Sequence, residues 1–549
     1  MAFSRTKQPY FGLKGKWLTF WITVACATDM TLFGYDQGIF SGVVISPDYL
    51  DVHNLNGPEN TSTLSIITAI YTVGCFLGAI TAFYIGETIG RKRTILVGTS
   101  IMTVGAILQA TSFSVPHMIV ARIVSGIGNG INTATAPVWQ TETSKVHNRG
   151  KLVMLEMGLN ILGFSLSNWI NYGMSFVGGA IGWRLPLALQ LVFCIVLFST
   201  IPWLPESPRW LLAHGQETEA SMILADLEDK PIDDPYVVAE RAEIIYGIEY
   251  ERANAINWGD LLRGRTKAGT KTVRRLALGA GTQAMQQFGG INVSITAILT
   301  SSIMSYYLPT VLIESVKLDS SMARLISACA SVIYLISSLI AAPLVEKFGR
   351  RKMMMVSTIV QFGCFLLVTI LLRFSELPGY SGHVEVAEAS VAFFILFYVA
   401  FGLGMLGIPW LYPTEINSLP MRTKGAAVAT MTNWITNFAV VEITPIGIQK
   451  LGWKFYIIWT ITNALFMPVI YFFYPETANR TLEDLDAFYR DNPPLVLHKD
   501  RDSTSVRRPE RFAQAQGRDI EEAAENLRRL GSFQGSVFEH DATKKSMSD

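Results

Sequence analysis

The chain has 549 residues, half of them hydrophobic and only 16% charged, with a formal net charge of +1. A soluble domain averages about 25% charged residues, so an ordinary soluble fold is excluded. A balance so near zero says nothing useful about nucleic acid, and no nucleic-acid partner is expected. The five cysteines (Cys26, Cys75, Cys194, Cys329, Cys364) all fall in apolar runs. They read as buried free thiols rather than a disulfide framework or a metal site.

Residues 1–16 are polar and basic and read as a cytosolic N-terminus. Twelve apolar runs follow, starting near Trp17, Leu64, Arg93, Val115, Leu152, Arg184, Leu276, Ala323, Met353, Val391, Gly425 and Trp453. A spanning helix needs roughly 20 apolar residues. The expected fold is therefore an all-α membrane protein of twelve transmembrane helices in two six-helix bundles, 17–204 and 276–475. A charged, helix-prone linker, 205–275, separates them. The polar stretch 476–549 reads as a cytosolic tail, largely disordered apart from a possible helix at Ile520–Leu530.

Lysine and arginine set the orientation. The loop after the first span has none. Arg91, Lys92 and Arg93 follow the second, Lys145, Arg149 and Lys151 the fourth, Lys347 to Lys352 the eighth, and Arg422 and Lys424 the tenth. Both termini are expected to face the cytosol, with Lys450 and Lys454 a mild exception.

The halves repeat one another. Gly90-Arg91-Lys92-Arg93 echoes Gly349-Arg350-Arg351-Lys352. Thr141-Glu142 with Arg149 echoes Thr414-Glu415 with Arg422, and Pro205-Glu206-Ser207 echoes Pro475-Glu476-Thr477. Parallel six-helix halves are a transporter architecture with the binding site at the midplane between them. The basic quartets read either as positive-inside anchors or as a cytosolic latch. In the latch, Arg91, Arg93, Arg149, Arg209, Arg350, Arg351 and Arg422 face Glu142, Glu206, Glu415 and Glu476.

Asp36 lies deep in the first run, inside Phe33–Gly38, and Arg122 is the only arginine deep in a comparable run. A charge in mid-membrane costs roughly 2.5–3.5 kcal/mol and needs a partner or a task. The pair is either structural, or Asp36 is a proton carrier with Arg122 as counter-charge, since no histidine lies within a span. Asp29, two turns earlier on the same face, either shares that role or is an ordinary capped or water-facing acid. Glu156 and Glu442 are expected to pair locally. Gln286, Gln287 and Asn292 in the seventh span, and Asn433 and Asn437 in the eleventh, offer donors and acceptors suited to hydroxyls. Trp410 and Trp434 are placed to stack on a sugar ring. The alternative is that buried amides join helices. No catalytic motif, cofactor loop or metal set stands out, so neither an enzyme nor a cofactor is expected.

These residues resemble the sugar porter family of the major facilitator superfamily over most of Phe11–Asp486. The motifs are Pro205-Glu206-Ser207-Pro208-Arg209-Trp210-Leu211, Pro475-Glu476-Thr477 with Arg480-Thr481-Leu482, the glycine–basic loops, Pro137 with Glu142, and Gln286-Gln287 with Gly290-Ile291-Asn292. Phe33–Gly38, Pro137–Ser144 and Asn433–Pro445 resemble the fungal monosaccharide and polyol–proton symporter branch. The resemblance implies proton symport through Asp36 and Arg122, and substrate contacts at Gln286, Gln287, Asn292, Trp410 and Asn433. The implied partners are a small sugar or polyol, a proton and the bilayer, with a multi-pass place in the plasma membrane. The expected function is proton-coupled uptake of a monosaccharide by alternating access. A polyol symporter, a uniporter and a non-transporting sugar sensor stand as alternatives.

Two departures from the family matter. Its fifth-span glutamine, a sugar contact, is here Met157, which moves the expectation toward a polyol or an atypical sugar. Its tyrosine pair stands 14 residues after Asn292, at Tyr306 and Tyr307, so Ser294–Met304 reads as an 11-residue insertion. The uncharged run Leu276–Ile313 is 38 residues long. As a helix it would reach about 57 Å, against a core of about 30 Å. It must bulge, break or displace the tyrosines, as a splicing or gene-model artefact or as a variant with altered gating.

Overall fold

A computed structural model describes residues 10–144, 149–253, 259, 271–291, 320–378, 380–418, 421–480 and 482–509. Among them there are helices and no strands. The first half comprises α1 (Gly15–Val43), α2 (Thr61–Ile89), α3 (Arg91–Ala110), α4 (Val115–Glu142), α5 (Arg149–Met174) and α6 (Gly179–Ala188 with Gln190–Thr200). The second half comprises α7 (Thr272–Gln286), α8 (Ser320–Phe348), α9 (Arg350–Ser375), α10 (His383–Gly404, continued by Ile408–Ile416), α11 (Arg422–Leu451) and α12 (Phe455–Phe473). Three short helices, Pro208–Ala213, Glu217–Glu228 and Pro235–Ala253, form the linker.

Among the described residues, α2, α3, α6, α8, α9, α10 and α12 are long and apolar enough to cross a membrane. Their outward faces expose large apolar side chains such as Ile195, Val356 and Leu465, a surface suited to lipid rather than water. Of the remaining five, α7 is described over only 15 residues. The other four, α1, α4, α5 and α11, are the helices that carry Asp29, Asp36, Arg122, Glu156, Asn433 and Asn437. Polar side chains lower their hydropathy because those helices build the interior.

Close packing follows from small residues. A Cβ on Gly34 of α1 would come within 1.7 Å of the Asn160 carbonyl on α5, and one on Gly163 of α5 within 1.9 Å of the Thr31 carbonyl. Each helix therefore lends the other a glycine, and the two backbones touch. The halves meet along α5 with α8 and along α2 with α11. Ser331 donates to Ser165 at 3.0 Å across the first of these seams. Phe33 and Trp434 pack edge to face at 5.6 Å between α1 and α11. All five cysteines are free; four are buried, while Cys329, expected to be buried, is exposed on α8.

The tail begins as ordered structure. A helix, Leu482–Arg490, is followed by a strap that folds back over the ends of α7, α9 and α12. Arg274 donates to the carbonyls of Pro493, Pro494 and Leu495. The amide of Glu476 donates to Ser503 at 2.8 Å, and Arg508 grips Asp484 through two bonds of 2.8 and 2.7 Å.

Candidate functional site

Asp36 and Arg122 meet inside the first half, with neither side chain exposed. Arg122 Nη1 lies 3.5 Å from Asp36 Oδ1, and its guanidinium sits 4.3 Å from the ring centres of both Phe40 and Tyr71. The cation is thus held by two π faces as well as by the acid. Asp36 Oδ2 has no hydrogen-bond partner among the described residues, although Tyr71, Ser125 and Gln190 surround the carboxyl. Gln190 opens the second segment of α6 and was not marked in the sequence, because a lone amide in an apolar run carries no signal of its own.

A cavity of about 240 Å³ lies between the halves. Met157 and Thr133 line it from the first half, and Gln283, Trp410 and Thr430 from the second. It reaches the end of the molecule that bears Arg91, Glu142, Arg209, Glu251 and Arg422. At its inner wall Asn433 donates to both Gln283 (2.6 Å) and Gln286 (2.9 Å). Gln283 donates onward to the Pro409 carbonyl, and Gln286 to those of Met405 and Leu406, all at 2.8 Å. These bonds cross-brace α7, α10 and α11 at the broken part of α10. Gln283, one turn before the Gln286–Gln287 pair, was missed in the sequence, and it is the glutamine that faces the cavity. Gln287 and Asn437 are buried, and Asn437 Oδ1 has no partner among the described residues. Asn292, Tyr306, Tyr307 and the suspected insertion lie outside the described residues.

The two ends of the repeat form matching clasps. Arg91 bonds Glu142 at 3.0 and 3.1 Å, and Arg350 bonds Glu415 at 3.1 and 2.7 Å, both bidentate. Ser207 and Thr477 each donate to the same glutamates at 2.6 Å. Among the described residues, Glu206 and Glu476 do not take arginine side chains. They accept from the backbone amides of Arg91 and Lys92, and of Arg350 and Arg351, at the N-termini of α3 and α9. A carboxylate there satisfies orphan amides and the positive helix end together. Gly90 (φ +93°) and Gly349 (φ +83°) precede these helices, where a Cβ would strike the carboxylate at 2.5 and 2.4 Å. Arg209 instead pairs with Glu251 of the linker at 2.6 Å, and Arg351 donates to the Tyr471 carbonyl. Arg93 is exposed, Arg422 lines the cavity, and the Arg149 side chain lies outside the described ones. The Arg91–Glu142 and Arg350–Glu415 clasps each join elements of one half.

Two matched halves, each of six long helices among the described residues, with a cavity between them, define a transporter of the major facilitator superfamily. The chain belongs to the family described as "Sugar (and other) transporter", which it matches over residues 21–489. It is 62% identical to the MFS-type transporter oryC of Aspergillus oryzae over 534 residues, 97% of each chain. It is 35% identical to the sugar transporter STL1 of Saccharomyces cerevisiae over 88% of this chain and 83% of that one. The fold is shared with the proton:xylose symporter XylE bound to 6-bromo-6-deoxy-D-glucose. That match has a TM-score of 0.71 at 23% identity, over 86% of this chain and 100% of the other.

Proposed function

We propose that this sugar transporter is a proton symporter that carries a monosaccharide into the cell across the plasma membrane, with both termini cytosolic. The observation that carries the reading is the wholly buried Asp36–Arg122 pair with one carboxylate oxygen left over. An ionised Asp36 holds α1 to α4 through Arg122. A protonated one loosens that tie, and the guanidinium keeps its seat between Phe40 and Tyr71 and its contact with the Thr68 carbonyl. The charge on α4 therefore stays seated while its ionic tie to α1 is lost and the Phe40 contact remains. One charge falling through 100 mV supplies about 2.3 kcal/mol for accumulation.

The substrate would sit against Trp410 and Gln283 on one side and Met157 on the other. Met157 brings no hydrogen bond to the cavity wall, which favours a solute with fewer fixed hydroxyls, so a polyol is the second reading. Uptake of labelled hexoses, pentoses, disaccharides and glycerol in transporter-null yeast, with external pH recorded, tests both. A substrate that alkalinises the medium as it enters supports symport. Uptake without alkalinisation means a uniporter, and binding without uptake means a sensor.

A further inference from the structure

Asp29 and Glu156 are both 2% exposed, on the facing helices α1 and α5. Asp29 Oδ1 accepts from Asn132 at 2.7 Å, and Asn132 also donates to Thr99 at 3.1 Å. Beyond that bond, Asp29 Oδ2, both oxygens of Glu156 and Asn132 Oδ1 have no hydrogen-bond partner among the described residues. The local pairing expected for Glu156 is therefore not found, and Asp29 does not face water.

The charged and titratable surroundings are one-sided. Asp29 and Glu156 stand within about one helical turn of each other along the α1–α5 seam, where Asn160 donates to the Met30 carbonyl at 3.4 Å and Thr31 to the Leu159 carbonyl at 3.3 Å. The thiols of Cys26 on α1 and Cys194 on α6 are the other titratable groups around them. From α3 and α4 come the neutral Thr99 and Asn132. Asp226, on the linker helix packed against α1, is engaged by Lys14 and Tyr10 near the start of that helix. Among the described residues no cation pairs with either buried acid.

Two neighbouring carboxylates without a counter-charge cannot both ionise in such a place. α1 runs from the basic end of the molecule inward, so Asp29 lies about 10 Å nearer that end than Asp36. We propose that Asp29 and Glu156 form a second proton-binding site, holding one shared proton, and serve as the station through which the coupling proton passes between Asp36 and the basic end. This rests on the symport reading above. The two sites differ in kind: Asp36 faces a guanidinium, Asp29 another acid.

The test uses the full-length protein in liposomes, with the proton itself as probe. Infrared spectra recorded across about pH 5 to 9 follow protonated carboxyl groups. Among the wild-type carboxyl signals, which include that of Glu206, substitution should assign two to the buried acids of the first half. Asp36→Asn should remove one; Asp29→Asn or Glu156→Gln should each remove the other and leave the Asp36 signal, which also certifies the fold. Net uptake by Glu156→Gln should lose the wild-type pH dependence, and Glu156→Asp should restore it. A Glu156→Gln protein that keeps both signals, or keeps the wild-type pH profile of uptake, overturns the second site. If Asp36→Asn instead leaves gradient-driven uptake intact, it is the symport reading that falls, and the two failures are distinct.

Discussion

Arg122 approaches only one oxygen of Asp36, at 3.5 Å, while holding two aromatic faces at 4.3 Å. The arginine is thus anchored independently of the acid. Asp36→Asn should keep the shape and remove the titratable charge. Downhill uptake should persist, and accumulation against a gradient, worth up to roughly 50-fold at 100 mV, should disappear. Arg122→Ala should do worse, because a buried carboxylate left alone costs about 3–5 kcal/mol. Labelled-solute accumulation ratios and melting temperature separate the two.

Gln283→Ala should weaken both substrate and scaffold. It removes a group on the cavity wall and leaves the Pro409 carbonyl without its bond and Asn433 with one partner fewer. The cost should be about 1–3 kcal/mol. The half-saturation concentration should rise more than the maximal rate falls. Gln287→Ala, further from the cavity lining, should change affinity less.

Gly34→Ala should break the α1–α5 contact, since the new methyl would lie 1.7 Å from the Asn160 carbonyl. Overpacking against backbone costs about 1–3 kcal/mol or more. Gly173→Ala, on the same α5 but with nothing within 4 Å, is the control and should be neutral. Size-exclusion profiles and thermal melts of the two purified variants decide the matter.

Glu206 lies outside the spans, and burial pushes its carboxyl above the usual range, against the pull of the Ser207, Lys92 and Arg91 amides. The folded chain then holds this proton more tightly than the unfolded chain does. Its contribution to stability is present at low pH and is lost as pH rises from the ordinary glutamate value through the raised one. Glu206→Gln should flatten that part of the melting temperature–pH curve.

The sequence made the repeat legible because the same chemistry recurs in order: a glycine, a basic run, then an acid after the fourth and tenth helices. Arg91–Glu142 and Arg350–Glu415 could be guessed from charge and side alone. The role of Glu206 and Glu476 could not, because their partners are backbone amides, which every residue has. Asp36 and Arg122 stood out as charges in apolar runs. Gln190 and Gln283 did not, since an amide announces nothing until the neighbouring helix is in place. Glu156 was visible as an acid, but its lack of a partner belongs to three dimensions.

The strap through Arg508 also bears on how the protein is handled in the laboratory. A fluorescent reporter joined straight after Arg490 would delete the segment that Arg274, Glu476 and Asp484 grip. Three helix ends would be left bare. The same reporter joined after Asp549 leaves that fastening whole, and so is the fusion to choose for imaging or purification.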